Sequence, residues 1–292
     1  MNQFYKEATP FLAAAGTVLF WASAFPAVRY SLEYYSSGAL MIFRFLVASA
    51  VLLGYCAVKR VSLPHKEDLP LFMLSGLIGL FVYMWAFYTG AAMVLSGISG
   101  FIIASAPVFT LLLSIIFLKE KAGLLVWLGV IISFTGIVII GATQVSEMQL
   151  NTGIWLLLLA SVSTSIFNIF QRRLLRKYTA MQATAYSVAC GTLFMCVFLP
   201  DLAREMPGVP MSANMVVVYL GVFPAATAYF LWGYALSKAG KTIYAVNFLY
   251  LVPFLASVMA FLWLGEIMPG MAFVGGITVV TGMIITRISK IK

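Results

Sequence analysis

The chain contains 292 residues, of which 63% are apolar and only 9% are charged, and its formal net charge is +9. Its mean hydropathy of +1.02 lies far above the range of soluble globular proteins, which excludes an ordinary soluble enzyme or binding domain. The composition therefore predicts an integral membrane protein.

Apolar runs follow one another along the chain, each about 20 residues long, which is the length that crosses ~30 Å of hydrocarbon as a helix. They lack the alternation of membrane-spanning strands, and a helix is the remaining way to satisfy every backbone polar group in lipid. The pattern predicts ten transmembrane spans, near residues 9–31, 37–58, 69–92, 97–118, 122–142, 152–171, 180–199, 213–236, 244–264 and 269–287.

The basic residues predict how these spans are oriented. With a cytoplasmic N-terminus, 15 Lys and Arg side chains fall on the cytoplasmic side, only Arg29 and Arg204 fall outside, and Arg44 lies within a span. This asymmetry follows the positive-inside rule, and it explains the positive charge without a nucleic-acid partner. The first span also resembles a signal peptide, because Ala22-Ser23-Ala24 is typical of a cleavage site. Its removal would leave the sixth span without a counterpart in the repeat.

The second half of the chain repeats the first. The matched residues, each pair 146 positions apart, are Pro107 and Pro253, Glu120 and Glu266, Gly129 and Gly275, Gly136 and Gly282, Tyr83 and Tyr229, and Tyr88 and Tyr234. Because each half holds five spans, an odd number, the second copy crosses the membrane in the opposite sense. We therefore expect two inverted units, residues 1–146 and 147–292. Inverted repeats recur in transporters, where two equivalent halves expose one central site to either side in turn.

Three segments carry a family resemblance: Trp21-Ala22-Ser23-Ala24-Phe25 in span one, Pro107 to Leu118-Lys119-Glu120 in span four, and Pro253 to Leu264-Gly265-Glu266 in span nine. They resemble the EamA family of the drug/metabolite transporter superfamily. The resemblance implies a ten-helix carrier of the bacterial inner membrane with both termini cytoplasmic. It also implies export of amino acids or related metabolites through a cavity lined by spans one, three, four, six, eight and nine. The aromatic richness favours exporters of aromatic or neutral amino acids.

Polar and aromatic side chains within these spans are the candidate substrate ligands, because a transport path needs a few polar groups in an apolar wall. They are Trp21, Ser23, Tyr83, Tyr88, Ser165, Asn168, Tyr229, Asn247 and Tyr250. Two other roles stay open at this point. Small hydroxylated residues also pack membrane helices together, and Trp and Tyr also form belts at the membrane surface.

Four symmetry-related residues are candidates for moving parts. Pro107 and Pro253 are candidate hinges, because proline breaks the helical hydrogen-bond ladder. Glu120 and Glu266 are candidate gates at opposite membrane faces. Arg44 has two interpretations. It either binds a substrate carboxylate or ties down carbonyls of a neighbouring helix, and the peripheral place of span two in the family favours the second.

The sequence predicts no catalytic residues, no cofactor and no metal site, because phosphate-binding, zinc-binding and triad motifs are missing. Cys56, Cys190 and Cys196 lie in apolar runs and predict no disulfide. All nine acids and His65 lie at span ends or in loops, which favours facilitated export or exchange over proton coupling. The expected partners are a small-molecule substrate and the lipid bilayer, with a monomer or a homodimer equally open. The alternatives are an exporter of drugs or quaternary cations, and a membrane scaffold or lipid-handling protein.

Overall fold

The computed structural model describes residues 2–106, 108–109, 112–113, 123–142, 148–238 and 251–289. Within these ranges all regular structure is helical, and we number the helices in chain order. They are α1 (Asn2–Ser31), α2 (Ser37–Val58), α3 (Leu69–Gly76 continuing through Leu77–Val82 and Tyr83–Ala91), α4 (Ser96–Ile103), α5 (Leu124–Ala142), α6 (Met148–Leu174), α7 (Ala180–Met195 continuing to Gly208), α8 (Met211–Leu220 continuing through Gly221–Thr227 and Ala228–Lys238), α9 (Val252–Leu264) and α10 (Gly270–Ser289).

In the described part of the chain, six of these helices, α1, α2, α3, α6, α7 and α8, are long and apolar enough to cross a membrane. Three shorter apolar stretches lie in α5, α9 and α10, at Trp127–Ile140, Val252–Leu264 and Gly270–Ile285. The all-helical membrane fold is thereby confirmed. Exactly ten spans, cytoplasmic termini and a boundary at residue 146 stay predictions, and span four is described as a helix only over Ser96–Ile103.

The outer surface of the bundle is apolar. Val138 of α5 is 69% exposed and Leu262 of α9 is 75% exposed. In water such a surface would favour aggregation, whereas in a bilayer it contacts acyl chains at little cost. These side chains therefore mark the lipid-facing surface.

Glycines bring α5 and α10 into direct backbone contact. A Cβ placed on Gly136 would lie 2.5 Å from the carbonyl oxygen of Gly275 and 2.6 Å from the amide nitrogen of Val279. The Ser133 hydroxyl also donates to the Val279 carbonyl oxygen at 3.2 Å. Small residues allow membrane helices to approach this closely. These contacts join α5 and α10 within one chain.

Two helices contain a π-helical segment at equivalent places in the two halves: Leu77–Val82 in α3 and Gly221–Thr227 in α8. The first segment ends directly before Tyr83, and the second ends two residues before the paired Tyr229. Pro224, inside the second segment, has no backbone N–H to donate, which accounts for the break in the α-helical ladder there. Because a π segment changes the rotation of the helix that follows it, it helps to set the direction of these tyrosines.

We call one end of the bundle the Glu266 end and the opposite end the Asp68 end. At the Glu266 end, α1, α3 and α9 end, and α2 and α4 begin. At the Asp68 end, Lys177 Nζ and the Tyr178 hydroxyl both donate to the Asp68 carboxylate. The hydrogen bond from Lys177 Nζ to the Asp68 carboxylate raises the pKa of Lys177. The loop between α2 and α3 is thereby fastened to the loop between α6 and α7.

Candidate functional site

A cavity of about 150 Å³ lies in the middle of the bundle. Its lining residues come from α1, α2, α3, α6, α8 and α9 and from α4 with the residues that follow it. They are Trp21, Ala24, Phe25, Arg44, Tyr83, Met84, Phe87, Gly100, Ile103, Ala104, Ala106, Thr164, Phe167, Asn168, Tyr229, Trp232 and Val252. The resemblance implied every one of these helices except α2, which contributes Arg44.

Aromatic rings form most of the cavity wall. The Trp21 ring lies 5.6 Å from Tyr229 and 5.6 Å from Trp232 between centroids, and Phe25 meets Phe87 edge to face at 5.5 Å. The Trp21 indole N–H donates to the Pro224 carbonyl oxygen at 3.2 Å. This hydrogen bond fixes the orientation of the Trp21 ring against the π segment of α8. The wall is therefore rigid and apolar, and it suits an aromatic or aliphatic group of a ligand.

Four uncharged polar side chains interrupt this wall: Tyr83, Thr164, Asn168 and Tyr229. None of the four donates or accepts a side-chain hydrogen bond with another residue in the part of the chain that the structure describes. Unpaired polar groups inside an apolar bundle are costly unless something else satisfies them. Their arrangement around one cavity indicates a place for a ligand or water with hydrogen-bonding groups of its own.

Arg44 is the charged member of the lining. Only 3% of its surface is exposed, and its Nη1 donates to the Tyr88 hydroxyl oxygen at 2.7 Å. Its Nε is buried and has no hydrogen-bond partner in the described ranges. In the part of the chain that the structure describes, Arg44 makes no hydrogen bond to a helix carbonyl. The structural role that its position in span two favoured stays a prediction.

Three predicted substrate ligands, Ser23, Tyr88 and Ser165, lie outside the cavity lining. The Ser23 hydroxyl bonds with the Tyr219 hydroxyl at 2.6 Å and donates to the Phe20 carbonyl. Tyr88 is fully buried and holds Arg44. Ser165 is also fully buried, and its hydroxyl points to the carbonyl oxygens of Ala106 and Ser161, both at 2.7 Å. Ser165 therefore packs α6 against the residues after α4, while Tyr88 stands behind Arg44.

Glu266 contacts residues of α1 and α4 at the Glu266 end. Its carboxylate accepts from the Ser96 amide N–H at 2.8 Å and from the Ser96 hydroxyl at 3.2 Å, and it lies 3.8 Å from Arg29 Nε. Leu95, the residue that would cap α4, offers no polar side chain. Glu266 supplies this cap from α9 and compensates the positive end of the helix dipole. Arg29 also donates to the Ala91 carbonyl, so the ends of α1, α3 and α9 meet the start of α4.

Gly265 makes this contact possible. It adopts a left-handed conformation, with φ of 67°, directly after α9 ends at Leu264. A residue with a side chain rarely adopts this conformation without strain. The turn carries the chain back so that Glu266 reaches Ser96.

The remaining predicted residues divide in two groups. Pro107, Glu120, Asn247 and Tyr250 lie outside the described residues. Pro253 is described: it lies in the first turn of α9, where a missing backbone N–H is tolerated. Its backbone also lies against α4, because a Cβ on Gly100 would approach the Pro253 Cα to 3.3 Å. Its role as a hinge stays a prediction.

Arg44, Thr164 and Trp232 line the cavity but were not among the predicted ligands. Arg44 had a clear signal, because it is the basic residue that lies within a span. Thr164 shares a helical face with Asn168, one turn away. Trp232 had only the general signal of a membrane tryptophan, which marks the lipid interface as often as a site.

No group of three or more His, Cys, Asp or Glu side chains in the described ranges could hold a metal ion. Cys56, Cys190 and Cys196 are all free thiols. Among the described residues, the cavity lining contains no acid and no histidine. What the site offers chemically is binding by aromatic faces, hydroxyls, an amide and one guanidinium.

Comparison with known proteins gives consistent matches. A model of the EamA-like transporter family matches residues 9–142 and again residues 151–288. "Uncharacterized transporter YdfC" of Bacillus subtilis (strain 168) is 35% identical over 272 residues, covering 93% of this chain and 89% of that protein. A "Probable terminal-alkyne amino-acid exporter" of Streptantibioticus cattleyicolor is 35% identical over 272 residues, covering 93% and 91%. A crystal structure with 17% identity superposes with a TM-score of 0.69 over 96% of each chain, a likeness of fold alone.

Proposed function

This chain belongs to the EamA-like transporter family, and we propose that it is a secondary carrier that exports small metabolites, foremost aromatic or neutral amino acids, by alternating access. As a family member it is a multi-pass membrane transporter. The name of one relative, the "Probable terminal-alkyne amino-acid exporter", supports the proposed substrate class.

The observation that carries the proposal is the mixed chemistry of the cavity. Aromatic rings surround a space in which Tyr83, Asn168 and Tyr229 present polar groups that have no hydrogen-bond partner among the described residues. An amino acid has the matching features, with an apolar side chain and polar groups at one end. Each polar contact also replaces a hydrogen bond to water, so binding stays weak enough for release.

The size of the cavity supports a compact substrate. A cavity of about 150 Å³ is comparable to an engineered protein cavity of about 150 Å³ that binds benzene. One ring or a short aliphatic chain therefore fits, whereas a multi-ring drug requires the bundle to expand.

Alternating access has a physical basis in the contacts at the Glu266 end. The Glu266–Ser96 and Glu266–Arg29 contacts join helices of the first half to α9 of the second. Breaking them opens a path to the cavity from that end. With the predicted topology, ten spans and cytoplasmic termini in the bacterial inner membrane, the Glu266 end faces outward.

Facilitated export or exchange remains the proposed coupling. The lining residues that the structure describes include no carboxylate or imidazole, the groups that commonly carry the coupled proton in transporters. The alternative substrate class, drugs or quaternary cations, would use the aromatic faces of the cavity. Arg44 disfavours it, because a buried guanidinium repels a cation.

We expect purified protein in liposomes to exchange an aromatic or neutral amino acid, and Tyr83→Ala and Asn168→Ala each to weaken its apparent affinity about tenfold, the effect of losing one hydrogen bond in a dry site. Counterflow of radiolabelled amino acids measures this. Tyr34→Ala, at a tyrosine that is 37% exposed outside the cavity, is the matched control and should transport normally. Folded protein without flux for any amino acid would contradict the proposed function. Normal affinity in both cavity variants would contradict the proposed site.

A further inference from the structure

Arg44 is a buried cation without a counter-ion in the described structure. The ion pairs formed there are those of Arg29 with Glu266 and of Lys177 with Asp68. Among the described residues, Arg44 has one hydrogen-bonding partner, the Tyr88 hydroxyl. The rings of Phe45 and Tyr88 are each centred 6.0 Å from its guanidinium carbon. Ring faces and one neutral hydroxyl compensate only part of the free-energy cost of removing a guanidinium charge from water.

Arginine is a permanent cation in proteins, so a buried guanidinium needs compensation from the groups around it. A side chain of this kind within a membrane therefore pairs with an anion or lines a polar cavity. Arg44 lines the cavity, and the missing partner is thus a group that enters it.

We propose that Arg44 binds the carboxylate of the transported substrate, and that Tyr88 positions the guanidinium for this contact. The proposal deepens the proposed function and rests on it. Tyr88 occupies only Nη1. The edge formed by Nε and Nη2 has no protein partner in the described residues and matches the two oxygens of a carboxylate, with which arginine forms paired hydrogen bonds.

The surroundings of Arg44 define the rest of the substrate. Trp21, Phe87 and Tyr229 supply apolar ring faces in the same cavity, and the Asn168 amide oxygen can accept a hydrogen bond from an ammonium group. The ligand class is therefore a small monocarboxylate with an aromatic or apolar body, and an α-amino acid is a member of that class. Amides, esters and amines of the same shape lack the anion that the guanidinium needs.

A purely structural role makes a different prediction. If Arg44 only joined α2 to α3 through Tyr88, its loss would lower stability without changing which ligands bind. Discrimination between an acid and its uncharged analogue separates the two roles. Ligand-induced thermal stabilisation of the purified full chain measures this discrimination without requiring transport.

The experiment compares L-phenylalanine and 3-phenylpropionate with L-phenylalaninamide and 3-phenylpropanamide, and scores both thermal stabilisation and counterflow. We expect the acids to bind wild type about tenfold more tightly or better than the amides, since a charge-assisted contact contributes at least that factor. Arg44→Gln should abolish this preference, and Arg44→Lys, which keeps the charge, should retain part of it. Arg204→Gln, at an exposed arginine outside the cavity, should leave it unchanged.

Each outcome decides the proposal. Equal binding of acids and amides by wild type, or a preference that survives Arg44→Gln, overturns it. If Arg44→Gln does not fold, Arg44→Lys and Tyr88→Phe carry the test, and an undiminished acid preference in both overturns it. Acid-selective stabilisation that is lost with Arg44, but without flux of any acid, upholds the anion site and contradicts transport. Flux of the amides without flux of the acids contradicts the anion site and upholds transport.

Discussion

Gly136→Ala is expected to lower the free energy of unfolding by about 1–3 kcal/mol, the cost of overpacking a tight contact. The added methyl group would lie 2.5 Å from the Gly275 carbonyl oxygen and 2.6 Å from the Val279 amide nitrogen. Both atoms belong to the backbone, so α5 and α10 must move apart to admit it. The fraction of detergent-solubilised protein that stays monodisperse after heating measures the effect.

Gly54→Ala is the matched control for this change. Gly54 also lies inside a helix, α2, but a Cβ there meets nothing within 4 Å. Alanine favours a helix over glycine by about 0.5–1 kcal/mol, so this variant should be as stable as wild type or slightly more stable. Equal loss of stability in both variants would show that the α5–α10 contact is unimportant.

Glu266→Ala should increase access to the cavity from the Glu266 end. It removes two hydrogen bonds to Ser96 and the ion pair with Arg29. Hydrogen bonds to charged groups contribute about 1.5–3 kcal/mol each, so losing even one shifts the open population about tenfold or more. The measurement is the rate at which a membrane-impermeant thiol reagent, added to intact cells, labels Thr164→Cys in a background without Cys56, Cys190 and Cys196.

Glu205→Ala controls for the loss of any carboxylate at this end. Glu205 also accepts a backbone N–H at a helix start, from Ser36 at 2.9 Å, but it joins α7 to α2 and touches neither α4 nor α9 in that contact. Labelling of Thr164→Cys should be unchanged in this variant. A labelling rate that Glu266→Ala leaves at the wild-type value would show that Glu266 caps α4 without closing the path.

The sequence was sufficient to predict where helices lie. Hydrophobicity over a window of ~20 residues is a property of the local chain, and the predicted span 37–58 coincides with α2, Ser37–Val58. The odd number of spans per repeat and its consequence, the inversion of the second half, stay predictions.

The direction of individual side chains could not be predicted in the same way. Ser165 and Asn168 lie on one helical face, yet Ser165 is fully buried against neighbouring carbonyls while Asn168 lines the cavity. The difference depends on how closely α4 approaches α6, which hydropathy does not encode. The π segment Leu77–Val82 has no proline to reveal it. Arg44 shows the same limit: its exceptional position was evident, but its direction depends on the rotation of α2.

The contacts between α5 and α10 are reciprocal: when a residue of one helix meets a residue of the other, their counterparts also meet. Gly136 meets Gly275, the counterpart of Gly129, and Gly282, the counterpart of Gly136, meets Gly129 in turn. Ser133 bonds with Val279, the residue 146 positions further on and thus its own counterpart. Crossed contacts of this kind, around a residue that meets its own counterpart, are those of a two-fold axis, as in the isologous interface of a C2 dimer. The two halves are therefore joined here as two subunits would be, and each half carries a self-complementary glycine surface.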